Sequence, residues 1–318
     1  MTTFSLGQKW VTKVTTSEDP DVPVMGVNLG PPPSAEKLGE FLGELSRSET
    51  VREMSRRKWL KTGSASPRDR VSERGTALLE FLTAGRVAVP TYAMFKGRRT
   101  STTRDILDEV ATRAWVTHIT DVAQNSQGIT KFKPTSVTSE FIRSIAKLSA
   151  RARGLKLALE AVREIGICVV TESGLPNMSV DGASFHTKQT GPVLAMTLRH
   201  DRLDNFWFTL FHEIGHIHLH LSEPTDDVFI DSEEDESDDM EAEAEANAFA
   251  KDSLVPRDTW LRSNVHRFGS ESTVVQLAKQ LGIHPAIVAG RIRYERRDFR
   301  IFTNLIGIGE VRETVFAN

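Results

Sequence analysis

The chain of 318 residues contains one cysteine, Cys168, so no disulfide can close within it. It has no apolar run near the roughly 20 residues that a membrane-spanning helix needs. Its first residues, Met1 to Lys13, are polar and lack the apolar stretch of a secretory signal. These absences exclude a disulfide-stapled scaffold and a helical membrane protein. They lead us to expect a cytoplasmic protein with no membrane partner. Aromatic residues are few, 7% of the chain, yet four of them fall within Phe206–Phe211. That concentration marks the part of the sequence where burial is densest.

Basic residues are missing from one long stretch. Glu223–Glu245 holds 13 of the 43 acidic residues and no Lys or Arg, which leaves 30 acidic against 40 basic residues elsewhere. The excess collects at Arg56–Lys58, Lys96–Arg99 and Arg291–Arg300. Such clusters meet nucleic acid, an acidic partner or, most simply, solvent. The acidic stretch reads as a solvated, mobile loop.

Hydrophobic spacing divides the chain. Residues 1–34 are rich in Thr, Pro and Gly and read as a flexible lead-in, and residues 35–135 as a helical N-terminal region. Its helices are expected over Ser34–Lys61, Val71–Leu82 and Asp105–Val122, with a turn-rich basic segment at Arg86–Thr102. Residues 136–265 form the expected catalytic domain. It comprises one long helix or a broken pair over Ser136–Ile165, strands at Ile167–Thr171, Gly182–His186 and Pro192–Arg199, then a helix ending near Leu221 that Asp201 or Asp204 could cap. A further helix spans Met240–Leu254. Residues 266–318 read as two short helices around Gly282 followed by an extended end. The fold class is α+β, mainly helical with a small sheet.

Within this frame, His212-Glu213-Ile214-Gly215-His216 carries the chemistry. Histidines four apart share one helical face and can grip one metal ion, with the Glu beside the open coordination position. A hydrolytic zinc site needs a third protein ligand and keeps one position for water. In one large class of such enzymes, the gluzincins of the zincin fold, that ligand is a Glu on a later helix. Glu241, Glu243 and Glu245 are candidates. Glu243 shares its face with Ala246, Asn247 and Ala250, small enough for close helix approach, and is preferred over Glu245. Glu213 would then be the general base. His186, Arg199, His200 and Tyr294 are possible oxyanion donors, and the sequence does not choose among them. His218 and His220 read as surface or outer residues and Cys168 as a core residue. Leu277–Val288 resembles a helix-turn-helix followed by basic residues. The same pattern also builds ordinary packed helix pairs, so DNA binding is the lesser reading.

Two blocks, Thr197–Leu210 running into His212–His216, and Glu243-x-x-Ala246-Asn247-x-Phe249-Ala250 followed by Leu254-Val255-Pro256, resemble the ImmA/IrrE metallo-endopeptidases. The resemblance implies a zincin-like core, Zn2+ held by His212, His216 and Glu243, and Glu213 as catalytic base. It also implies a protein substrate, commonly a DNA-binding repressor in phage, mobile-element or stress regulons. Many relatives with the Phe-Trp-Phe-Thr stretch carry an N-terminal Xre-type helix-turn-helix and look like HigA-type antitoxins. Residues 1–150 offer no such motif, so a separate regulator as substrate, or a toxin or defence-system partner, is expected. The alternative reading is a non-catalytic binding protein whose metal site is structural or vestigial.

Overall fold

The computed structural model describes residues 43–62, 70–84, 103–225, 227–232 and 240–316. The expected lead-in, the basic segment Arg86–Thr102 and residues 233–239 of the acidic stretch lie outside these residues. Among the described residues no helix is long and apolar enough to cross a membrane.

The chain divides into two compact units. Of the described residues, the first comprises 43–62, 70–84, 103–114 and 175–178, and the second 115–174, 179–225, 227–232 and 240–316. Helix α1 (Glu49–Arg56) and helix α2 (Arg70–Ala84) belong to the first. Helix α3 (Thr103–Asn125) begins in the first and ends in the second. In the first unit Ser48 caps α1 by accepting from Val51 N, and Lys58, at φ 60°, turns the chain out of the helix. Thr50 donates to the Pro176 carbonyl at 2.8 Å and accepts from Asn177 at 3.1 Å.

The second unit carries the site. Helices α4 (Ser139–Leu148) and α5 (Gly154–Glu164) realise the broken-pair option for Ser136–Ile165. The break falls before Gly154, where a Cβ would collide with the Leu148 carbonyl. Strands β1 (Cys168–Thr171), β2 (Val180–Thr187) and β3 (Gly191–Met196) sit where the β-branched runs place them. Cys168 is buried. A fourth strand, β4 (Val228–Ser232), lies inside the stretch expected to be a mobile loop. That expectation followed the acidic composition and overlooked Val228-Phe229-Ile230, a β-forming run. The sheet order is β1-β3-β2-β4, with β1 parallel to β3 and the other pairs antiparallel.

Helix α6 (Leu203–Leu219) is apolar on nearly every face and is buried accordingly, among the sheet, helix α7 (Met240–Leu254) and the later segment Pro285–Arg296. Its start differs from expectation. Arg202 is the N-cap residue and pairs with Asp204 at 2.9 Å. Asp201 instead accepts from Val311 N and Arg312 N, and so caps helix α12 (Glu310–Phe316), where an extended end was expected. Short helices α8 (Arg257–Ser263) and α9 (Val265–Phe268) follow Pro256. Helices α10 (Glu271–Leu281) and α11 (Pro285–Arg296) flank Gly282, whose left-handed φ of 72° closes α10. The whole is an α+β fold, mainly helical with a small mixed sheet.

Candidate metal centre

Helices α6 and α7 meet through their smallest residues. A Cβ on Gly215 would come within 3.1 Å of the Phe249 ring and 3.3 Å of the Ala246 Cα, and Ala246 and Ala250 are fully buried. This close approach carries Glu243 to the two histidines. His212 Nε2 and His216 Nε2 are 2.9 Å apart. Glu243 Oε2 is 3.3 Å from the first and its Oε1 3.2 Å from the second. A tetrahedral zinc with bonds of about 2.0–2.1 Å keeps its ligand atoms about 3.3 Å apart, so the three donors suit such an ion. Glu245 points elsewhere. It is 55% exposed and lies 3.8 Å from His220 Nε2.

Glu213 packs against the sheet. It is fully buried, and Ser184 Oγ donates to its Oε2 at 2.5 Å. Its Oε1 fills the space beside Gly182, where any Cβ would collide with it. Gly182 and Ser184 alternate on β2 and therefore share the face toward α6. Their antiparallel partners on β4 are Asp231 and Phe229, which share that face too. The Phe229 ring stacks on His216 at 4.4 Å and 17°. Asp231 has an oxygen within 4.8 Å of donor atoms of both His212 and Glu213.

Charge is dense here. Glu213 is pushed up to about 8, first by burial and then by Asp231 and Glu243, against His212 and the Ser184 hydrogen bond. Burial likewise lifts Asp231 to about 6. Burial opposes charge on His212, but Glu243, Asp231 and Glu213 outweigh it and raise the imidazole to about 9. Burial lowers His216, with Glu243 opposing. Burial also acts on Glu243, and the two histidines overcome it and hold the carboxyl down to about 2. Such a group of acids and imidazoles holds a proton where a cation would otherwise sit.

The sequence reading missed Ser184, Gly182, Phe229 and Asp231. The first two lie on an anticipated strand whose facing could not be assigned. The last two lay inside the acidic stretch, where the alternation of Phe229 and Asp231 was the available signal. The candidate oxyanion donors scatter. Arg199 binds Asp181 at 3.1 Å and His200 lies 4.0 Å from the same carboxylate. His186 is half-buried on β2. Tyr294 stacks on Phe208 at 6.4 Å, and Phe208 in turn lies 6.1 Å from His212.

Residues 163–293 match the family model Peptidase_M78, the IrrE N-terminal-like domain. That match supports the ImmA/IrrE resemblance over the segment that holds the whole cluster. The M78 domain is zincin-like in fold, and its peptidases are metal-dependent. Comparison with curated proteins gives no match.

Three arginines of the basic end bind backbone carbonyls. Arg291 donates to the Lys251 and Val255 carbonyls at the end of α7 and lies over the Trp260 ring. Arg293 is 4% exposed and donates to the Ile301 carbonyl, and Arg296 donates to the His266 carbonyl. These α11 arginines thus join α11 to the end of α7, to α9 and to the Ile301 segment.

Proposed function

We propose that the protein is a zinc-dependent endopeptidase that cleaves a specific intracellular protein, with a DNA-binding repressor or antitoxin-like regulator as the expected substrate. One observation carries this reading. His212, His216 and Glu243 converge at 2.9–3.3 Å while Glu213, adjacent in sequence, is pinned separately against the sheet. A purely structural zinc site is closed by four protein ligands, whereas three ligands plus a dedicated acid suit hydrolysis.

Under this reading His212, His216 and Glu243 hold the ion. When bound, zinc supplies a Lewis acid and a water whose pKa falls to about 7. Glu213 takes the proton of the attacking water and returns it to the leaving amine. Ser184 holds Oε2, which leaves Oε1 as the oxygen that moves the proton. Burial raises the Glu213 carboxyl, which strengthens it as the base that takes the proton of the attacking water. Phe206, Trp207 and Phe211 exclude water from the far side of α6, all at 1% exposure or less.

The test is a comparison of new protein N-termini in cells expressing the native chain or Glu213→Gln. Glu213→Gln should retain zinc and lose cleavage by a factor of about 10² or more. Termini that appear equally with both chains would contradict the proposal.

A further inference from the structure

Both histidines of the cluster lack the usual support. His212 Nδ1 and His216 Nδ1 are buried and meet no hydrogen-bonding protein group among the described residues. Metal-binding imidazoles are ordinarily oriented by an acceptor at the second nitrogen, and losing that acceptor typically costs 10- to 100-fold in metal affinity. The ring torsion of histidine is broad, so an imidazole without an acceptor has no intrinsic preference for the ligating orientation.

Strand β4 occupies the place of that support. Phe229 lies flat on the His216 ring, and its second neighbour is His220 at 5.3 Å. Two residues on, and so on the same face, Asp231 stands beside His212 and Glu213. The strand is fixed in turn by antiparallel pairing to β2, with Phe229 opposite Ser184 and Asp231 opposite Gly182. Register therefore places one side chain of β4 over each histidine, while Ile230 between them faces away. A one-residue slip would remove both together.

We infer that β4 is a clamp for the metal histidines, with Phe229 the positioning residue for His216 and Asp231 the positioning residue for His212. Ring stacking does for His216 what a hydrogen-bond acceptor does elsewhere, and an anion within reach of His212 favours a cation at the centre. This rests on the zinc reading above but not on peptidase activity. It assigns a role in metal retention to two residues outside the His-Glu-x-x-His helix and the Glu243 helix.

The experiment is zinc binding to the full chain in competition with a chromogenic chelator, read beside the melting temperature of the metal-free protein. Phe229→Leu keeps a smaller apolar side chain and removes the stack. It should weaken zinc about tenfold, the equivalent of an aromatic pair, without moving the metal-free melting temperature. Phe229→Tyr should restore native affinity. Asp231→Asn should weaken zinc to a similar degree, and Ile230→Val should leave it unchanged. Native affinity in Phe229→Leu would overturn the clamp. So would a loss matched by an equal fall in metal-free stability, since Phe229 would then serve only the core. If the native chain itself binds no zinc, the metal reading beneath the clamp fails instead.

Discussion

The two flanks of α6 differ in how they serve the same site. On one flank α7 brings a single carboxylate, Glu243, through a seam of small residues, Gly215, Ala246 and Ala250. On the other, strands β2 and β4 bring no member of the His212–His216–Glu243 set, yet they surround Glu213 and both imidazoles with Gly182, Ser184, Phe229 and Asp231. The helical flank sets which atoms converge. The sheet flank sets how those atoms are oriented and what charge they carry. Ligand identity and ligand posture are thus assigned to different secondary structure.

This division can be broken from either side. The largest effect is expected on the helical flank. Gly215→Leu would drive a branched side chain into Phe249 and Ala246, which already lie 3.1 and 3.3 Å from a bare Cβ. Separation of α6 from α7 should cost about 1–3 kcal/mol of stability, as overpacking does, and should abolish zinc binding. Melting temperature and zinc content read both effects. On the sheet flank, Gly182→Ala should displace the Glu213 carboxylate while leaving His212, His216 and Glu243 in place. Cleavage should fall about 100-fold with zinc content unchanged. Loss of zinc in Gly182→Ala would show that the two flanks are not separable.

A smaller effect concerns pH. In the metal-free protein, Glu213 at about 8 and His212 at about 9 both hold protons more tightly than their unfolded values of about 4.3 and 6.5. Their contribution to stability is therefore complete below those unfolded values and is lost as pH climbs through 8 and 9. Glu243, held at about 2, acts in the opposite sense and loses its contribution only as pH falls below about 4. The metal-free melting temperature should decline between about pH 6 and 9. Zinc displaces the His212 proton, so the stabilisation it adds should grow over the same range. A gap between metal-free and zinc-loaded melting curves that does not widen with pH would contradict the charge arrangement.

The helical flank was legible because its signals are periodic and local. His212 and His216 are four apart, and Glu243 shares a helical face with Ala246, Asn247 and Ala250, so one sequence window specifies each element and its inward side. That face prefers Glu243 and leaves Glu245 as a competitor, and the structure brings Glu243 to the histidines and Glu245 to His220. The sheet flank depends on pairing across 40 or more residues. Nothing local to Phe229 states that it will lie opposite Ser184 and above His216. Acidic neighbours further hid β4, because net charge predicts solvation and says nothing of which alternate residues turn inward. The Asp201 cap was misassigned for the same reason. Its partners, Val311 and Arg312, are more than 100 residues away. The carbonyls that Arg291, Arg293 and Arg296 bind, those of Lys251, Val255, Ile301 and His266, likewise cannot be assigned to them from the basic run alone.

The central claim is that one zinc ion is held by His212, His216 and Glu243. Its most direct test is zinc content per chain, measured by elemental analysis after exhaustive buffer exchange, for the native protein, Glu243→Ala and Glu245→Ala. The account predicts about one equivalent in the native chain and in Glu245→Ala, and almost none in Glu243→Ala. Zinc retained in Glu243→Ala, or lost in Glu245→Ala, would contradict it.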